Sequence, residues 1–319
     1  MVEAREFVAK AISEIKSKVK SGSAIIAASG GVDSTVAAVL CHRAIGKNLT
    51  AIHVDTGLMR KNESAQAVEI LKGFGLNVKL VNASKRFFES LKNITNPEEK
   101  RKIIGGLFIK IFEEEAKKIT GADFLVQGTI APDWIESGGG LRDTIKTHHN
   151  VGGLPKQMNL KLIEPLRDLY KDEVREVAKH LEIPAAIANK QPFPGPGLAV
   201  RILGEVTEER VKILQEADLI WREELEKAAT EEKIKLPWQY FAVLLPIRTV
   251  GVLGDARAYG YTIGLRAVES FDGMTANFLK IPPELLEKIA IRINNTLKKD
   301  INRVVYDITN KPPSTIEWE

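Results

Sequence analysis

The sequence predicts an α/β fold, a doubly wound parallel sheet of the kind that binds nucleotides at its strand ends, followed by a smaller α+β domain. Three observations carry this. Short apolar runs such as Ser23-Ala-Ile-Ile-Ala-Ala28 have the composition of strands buried on both faces, and through the first half they alternate with segments of helical periodicity. The second half instead sets apolar strands beside two long helices, the pattern of an α+β unit. Finally, 319 residues exceed the size at which one core stops growing. Two domains are therefore expected, 1–189 and 190–319.

The elements follow in order. Val8, Ile12, Ile15 and Val19 lie at helical spacing and make 3–20 an amphipathic helix. The strand at 23–28 ends at Ser29-Gly30-Gly31-Val32-Asp33-Ser34, after which Val36, Ala37, Leu40 and Ala44 mark a helix stopped by Gly46. A strand over 49–55 completes a βαβ unit. The alternation continues with a helix near 62–72, a strand at 77–81, helices across 84–119 and a strand at 123–127. Residues 128–159 read as a long, glycine-rich irregular stretch, and such stretches inside compact domains usually carry function. A strand at 160–163 and a helix over about 170–181 lead to Gln191-Pro-Phe-Pro-Gly-Pro-Gly197, whose three prolines exclude a helix or a central strand. Beyond it come a helix at 207–229, strands at 240–245 and 261–268, a helix at 284–298, and strands at 303–308 and 315–318.

Composition narrows the function. With 44% hydrophobic and 28% charged residues the chain has material for a packed core. Its 46 basic against 42 acidic residues leave a net charge of +4, too small an excess to indicate a nucleic-acid partner. No apolar run approaches the roughly 18 residues of a membrane span. The N-terminus MVEAREFVAK has no apolar signal core, so a cytoplasmic protein is expected. The single cysteine, Cys41, excludes an internal disulfide and any CxxC site. It lies within a helical segment, next to an apolar face, and reads as a packing thiol; His42 at i+1 projects from another face.

The chemistry-bearing motifs start at the loop after the first strand. A strand-to-helix turn aims backbone N–H groups and the positive helix end at one point, which suits a phosphate. Gly30 and Gly31 allow close approach, Ser29 and Ser34 add hydroxyls, and Asp33 offers oxygen to Mg²⁺. A Walker A loop would end in Gly-Lys-Ser/Thr, and no lysine stands here. The plain alternative is a tight turn with an aspartate cap. Asp55 closes the second strand, at the ligand-binding end of an open α/β sheet or as a turn cap. Asp133 and Glu136, three residues apart, would share a helical face that binds Mg²⁺ or orients phosphate, or would form a solvated acidic turn. Lys146, His148 and His149 precede Gly152-Gly153. Adjacent histidines seldom ligate one metal, and a lid that closes positive groups over phosphates suits them better.

SGGVDS resembles the pyrophosphate loop of the N-type ATP pyrophosphatases, which cleave ATP between the α and β phosphates. With GTIxPDxIES, KTHHNVGGLP, QPFPGPGLAVR, VGVLGDAR, ESFDGMTA and NRVVYDITNKPPSTIEWE it is similar, over essentially the whole chain, to the ATP pyrophosphatase subunit of GMP synthetases. The resemblance implies that the C2 oxygen of xanthosine monophosphate (XMP) attacks the α phosphate of ATP and that ammonia then displaces AMP. It places ATP on Ser29, Gly30, Gly31, Val32, Asp33, Ser34, Thr35, Val54 and Gly128, with Mg²⁺ on Asp33. Asp133, Glu136, Lys146, His148 and His149 become catalytic lid residues, and Gln239, Asp255, Arg303, Lys311 and Glu317 the XMP site. It also implies a homodimer formed through the C-terminal domain. Cys41 is not in a glycine-flanked nucleophile elbow, so a separate glutamine amidotransferase subunit is expected to supply ammonia. Ala131 departs from the pattern, since relatives carry a larger Tyr or Arg there. Alternatives are NAD synthetase or a tRNA-thiolating enzyme, against which the Lys311–Glu319 tail and the lone cysteine count, and a non-catalytic ATP-binding module, against which the lid residues count.

Overall fold

A computed structural model describes residues 3–119, 121–136 and 160–319. The chain divides into two compact units. One comprises Met1–Thr56, Asn62–Ser84 and Ile104–Lys190, the other Gly57–Lys61, Lys85–Ile103 and Gln191–Glu319.

The first unit opens with α1 (Ala4–Val19), whose Val8, Ala11, Ile15 and Val19 are buried. There follow β1 (Ser23–Ala27), α2 (Val32–Ile45), β2 (Leu49–Asp55), α3 (Glu63–Gly73) and β3 (Asn77–Asn82). The chain then passes through the second unit over Lys85–Ile103, which takes nearly all of α4 (Ser84–Ser90) and the start of α5 (Pro97–Ala116). The first unit continues with the rest of α5, β4 (Ala122–Val126), α6 (Ala131–Glu136), β5 (Lys161–Ile163), α7 (Lys171–His180) and the short α8 (Ala185–Ala188). The sheet order is β3-β2-β1-β4-β5, with every pairing parallel. From β1 the chain builds outward first to one side and then to the other, so strand order reverses between β1 and β4. Ligands of open α/β sheets bind at such a reversal, beyond the carboxyl ends of the strands. Helix α2 buries eight residues, among them Val36 to Cys41, and therefore shows no polar face over that run. The stretch 128–159, expected to be irregular, contains α6, and the difference arises because Pro132 sits in a first helical turn, where its missing N–H costs nothing.

In the second unit, α9 (Glu208–Thr230) starts at Thr207, whose hydroxyl accepts the Arg210 N–H at 3.2 Å. Strands β6 (Gln239–Leu253) and β7 (Ala256–Glu269) form one long antiparallel hairpin, and β8 (Asn277–Phe278) pairs with β7. Helix α10 (Pro283–Thr296) leads to β9 (Ile301–Tyr306), parallel to β7. The hairpin runs well past the expected 240–245 and 261–268. Pro246 reads as a break in the sequence but lies in the irregularity between Leu245 and Arg248, where no ladder N–H is required. Thr315–Trp318, expected as a strand, is irregular: Ile316 packs with Phe241, Val243 and Leu245, and Trp318 joins them from the edge. Two apolar residues two apart mimic strand alternation while needing only one face to lean on. Among the described residues no helix is long and apolar enough to cross a membrane.

Candidate functional site

The Ser29–Ser34 loop leaves β1 at the strand-order reversal and opens α2. Its hydroxyls order it from within: Ser29 Oγ lies 2.9 Å from Ser34 Oγ and accepts the Gly31 N–H at 3.3 Å, while the hydroxyls of Ser34 and Thr35 donate to the Gly31 carbonyl at 3.1 and 2.8 Å. The first-turn N–H groups of α2 have no partner within the helix, and a helix start of this kind is able to receive an anion. Val32 and Thr35 are buried, so of these residues only the backbone can meet a ligand. Gly30 has φ +78° and a Cβ there would stand 2.8 Å from Ala67 Cβ, so glycine is demanded twice. Gly128, just past β4, comes so close that a Cβ would lie 2.9 Å from the Asp33 carbonyl carbon and 3.0 Å from the Ser34 nitrogen. The loops after β1 and β4 are thus in backbone contact.

Asp33 points both carboxylate oxygens at Lys171 Nζ, at 2.9 and 2.6 Å, and both side chains are part-exposed. Lys190 Nζ donates to the Gly30 carbonyl at 3.2 Å and pairs with Glu63. The buried His53 donates from Nδ1 to the Ala28 carbonyl at 2.6 Å, which sets its tautomer, and burial pushes its pKa down, so it stays neutral. Sequence reasoning missed all three. Lys171 had a signal: a cation in the first turn of a helix opposes the macrodipole and needs another reason to be there.

Val54 lies near the end of β2. Ala28 N–H bonds the Ile52 carbonyl at 2.9 Å, so by alternation Val54 directs its own backbone groups to the same side, past the last residue of β1. Asp133 stands in the first turn of α6, and its Oδ2 accepts the Ile130 N–H at 3.0 Å, a cap that engages one of its two oxygens. Ala131 is buried and donates its N–H to the Leu169 carbonyl at 2.9 Å. Lys146, His148, His149 and the Glu136 side chain lie outside the described residues. Cys41 is fully buried and its thiol is pushed up to about 12 by that burial, as befits a packing residue.

The second unit brings together only part of the expected XMP set. Gln239 Nε2 donates to Glu317 Oε1 at 2.9 Å, and Lys311 Nζ donates to the Gly273 carbonyl at 2.7 Å. Asp255 sits at the exposed turn of the hairpin, some twelve β7 residues or about 40 Å from the end that holds Gln239. It is not part of the Glu317 site of its own chain. Arg303 is exposed on β9 opposite Thr262, about 20 Å along the strand from Val268, which pairs with Gln239. An arginine side chain cannot span that distance, so Arg303 too stands apart. Sequence reasoning also missed Arg201, which is fully buried and grips Glu317 through Nε to Oε2 at 3.0 Å and Nη2 to Oε1 at 2.7 Å.

Two family models match different parts of the chain. Residues 223–318 match the family model described as GMP synthase C terminal domain, and residues 3–106 match NAD synthase. The chain is 60% identical to a GMP synthase [glutamine-hydrolyzing] subunit of Thermococcus kodakarensis, over 98% of this chain and 99% of that protein. It is 58% identical to the corresponding subunit of Pyrococcus horikoshii, over 98% of both. It is also 57% identical to GMP synthase [glutamine-hydrolyzing] of Lactobacillus gasseri, of which it covers 60%. High identity over almost the full length of the first two relatives, on a parallel sheet whose glycine loop opens a helix at the point of strand reversal, shows that the chain belongs to this family of GMP synthase [glutamine-hydrolyzing] subunits.

Proposed function

We propose that this chain makes GMP from XMP, ATP and ammonia in two steps. The C2 oxygen of XMP forms a bond to the α phosphorus of ATP as the bond to the bridging oxygen breaks and pyrophosphate leaves. Ammonia then attacks C2, loses a proton, and AMP departs with the former C2 oxygen. The purine oxygen is a poor leaving group until it is esterified, which is the reason for spending ATP. Little covalent chemistry falls to the protein, so positioning and charge neutralisation carry the rate.

The observation that carries this reading is the Ser29–Ser34 loop at the strand reversal, with helix N–H groups, two hydroxyls and Lys171 converging on it. These groups receive the pyrophosphate end of ATP, and the backbone at Val54 is available to adenine. The donor set suits a hydrated Mg²⁺ delivered with ATP: Asp33 is one part-exposed carboxylate, and no cluster of three His, Cys, Asp or Glu exists among the described residues to hold a resident ion. Bound there, the ion would neutralise phosphate charge. Asp133, Glu136, Lys146, His148 and His149 are assigned to the step that transfers the adenylyl group. XMP is assigned to the second unit, at Lys311 and Glu317, with Gln239 hydrogen-bonded to Glu317.

The nitrogen source gives the test. The purified chain is expected to form GMP with ammonium and to fail with glutamine until a glutamine amidotransferase subunit is added. Glutamine-dependent synthesis by this chain alone would overturn the assignment.

A homodimer through the second unit is supported by the distal hairpin, where Ile247, Val250, Val252, Leu253 and Tyr259 are exposed on an edge strand and its neighbour. Such a patch, open on the β6 edge, fits a self-complementary two-fold contact with a second copy. Light scattering after gel filtration should find a dimer for the natural chain and a monomer for Val252→Glu, whose site is 81% exposed and so costs the fold little. A monomeric natural chain would remove the pairing.

A further inference from the structure

The structure carries one step more, which rests on the reading of Glu317 as the carboxylate that meets the purine of XMP. We propose that Arg201 is the positioning residue of that site: it fixes the plane of the Glu317 carboxylate so that a single acceptor position is left for a ring N–H of the bound nucleotide.

Arg201 ends the short helical turn Gly197–Arg201 that follows the proline-rich segment. Its side chain is wholly buried and its fork meets Glu317 through two parallel hydrogen bonds, the geometry in which an arginine dictates orientation as well as attraction. The guanidinium carbon lies 4.0 Å from the Phe241 ring centre and 5.2 Å from that of Phe193, so the arginine has no freedom to follow a moving carboxylate. Gln239 is held in turn by the Pro192 carbonyl at 3.3 Å and gives its amide to Glu317 Oε1. A carboxylate offers about four lone-pair sites. Oε1 accepts from Arg201 and Gln239, and Oε2 accepts from Arg201 Nε, which among the described residues leaves one site, on Oε2. The Glu317 side chain remains 21% exposed, so it can still be reached from solvent.

Stability is a poor reason for this arrangement. A buried ion pair gains little over apolar residues of the same volume, because desolvating both charges offsets their attraction, and Arg201 Nη1 is left buried with no partner among the described residues. What the pair supplies is direction. On the same footing, Gln239 acts through Glu317 and not on the nucleotide itself.

The test is a double-mutant cycle on the purified chain with ammonium as nitrogen donor, reading XMP KM, ATP KM and kcat for Arg201→Lys, Glu317→Gln and the double variant. Lysine keeps the buried charge and loses the fork, and thermal unfolding checks that each variant is folded. Arg201→Lys is expected to raise XMP KM at least tenfold, with kcat and ATP KM within about threefold of the natural chain. The double variant should match Glu317→Gln alone, because the arginine acts only through that carboxylate. An XMP KM unchanged in Arg201→Lys, or effects that multiply in the double variant, would overturn the positioning role. If Glu317→Gln itself leaves XMP KM unchanged, the underlying XMP assignment fails instead. A loss of kcat with unaltered XMP KM in Arg201→Lys would mark a merely structural arginine and overturn the proposal.

Discussion

Gly128→Ala is expected to reduce ATP-dependent turnover by roughly a hundredfold, although the change adds one methyl group and touches no charge. The added carbon would stand 2.9 Å from the Asp33 carbonyl carbon, 3.0 Å from the Ser34 nitrogen and 3.1 Å from the Asp33 oxygen, and all three atoms are backbone. A flexible side chain could swing away, whereas here either the end of β4 or the start of α2 has to move. Overpacking of this sort costs about 1–3 kcal/mol of stability. The catalytic cost is expected to be larger in proportion, because in the proposed role of this loop as the phosphate-positioning element a displacement on the order of 1 Å is worth about two decades of rate. Steady-state AMP release, with circular dichroism to follow unfolding, separates the two effects. Turnover within threefold of the natural chain would mean that the close approach of the two strand ends is not needed for catalysis.

Asp33→Asn should cost at least about a hundredfold in pyrophosphate release, the range seen when one electrostatic stabiliser is removed. Its fold should survive. The Asp33–Lys171 pair is part-exposed, and pairs of that kind contribute about 0–1 kcal/mol, so the unfolding midpoint should hardly shift. Lys171→Met should act in the same direction, since it removes the cation that now neutralises Asp33 and that would otherwise meet phosphate. The two roles are told apart by Mg²⁺ titration: loss in Asp33→Asn should deepen as Mg²⁺ falls, and loss in Lys171→Met should be nearly independent of it. Near-normal turnover of Asp33→Asn at saturating Mg²⁺ would reduce Asp33 to a residue of the turn.

The legibility of the site follows the range of its interactions. The loop is readable because all its chemistry is local: Ser29, Gly30, Gly31, Asp33 and Ser34 lie within six residues, and the strand before and helix after are announced by their own periodicity. Asp133 is readable as a helical carboxylate, but not as the cap of its own helix, because the sequence suggests irregularity where Pro132 in fact starts a turn. Lys171 lies 138 residues from Asp33 and Arg201 lies 116 from Glu317. A buried arginine reads in sequence like any surface cation. Asp255 and Arg303 belong to matching motifs yet stand apart from Glu317 within their own chain, Asp255 at the turn of a hairpin whose length the sequence understates and Arg303 on β9 beside it.

The sequence by itself determined the two classes of domain, the alternation of helices and strands that builds the parallel sheet, and the glycine loop between β1 and α2, since hydrophobic period and glycine chemistry act over a few residues and survive any packing. Tertiary structure alone decided which distant side chains meet: the Gly128 backbone against Asp33, Lys171 on the loop carboxylate, Arg201 beneath Glu317, and the irregular tail that lays Ile316 on the sheet in place of a further strand. The physical reason is that a charge or a methyl group has no preferred partner until the chain is folded. Burial then makes the meeting of Arg201 with Glu317 expensive to break, and at that point an otherwise ordinary arginine acquires a direction to enforce.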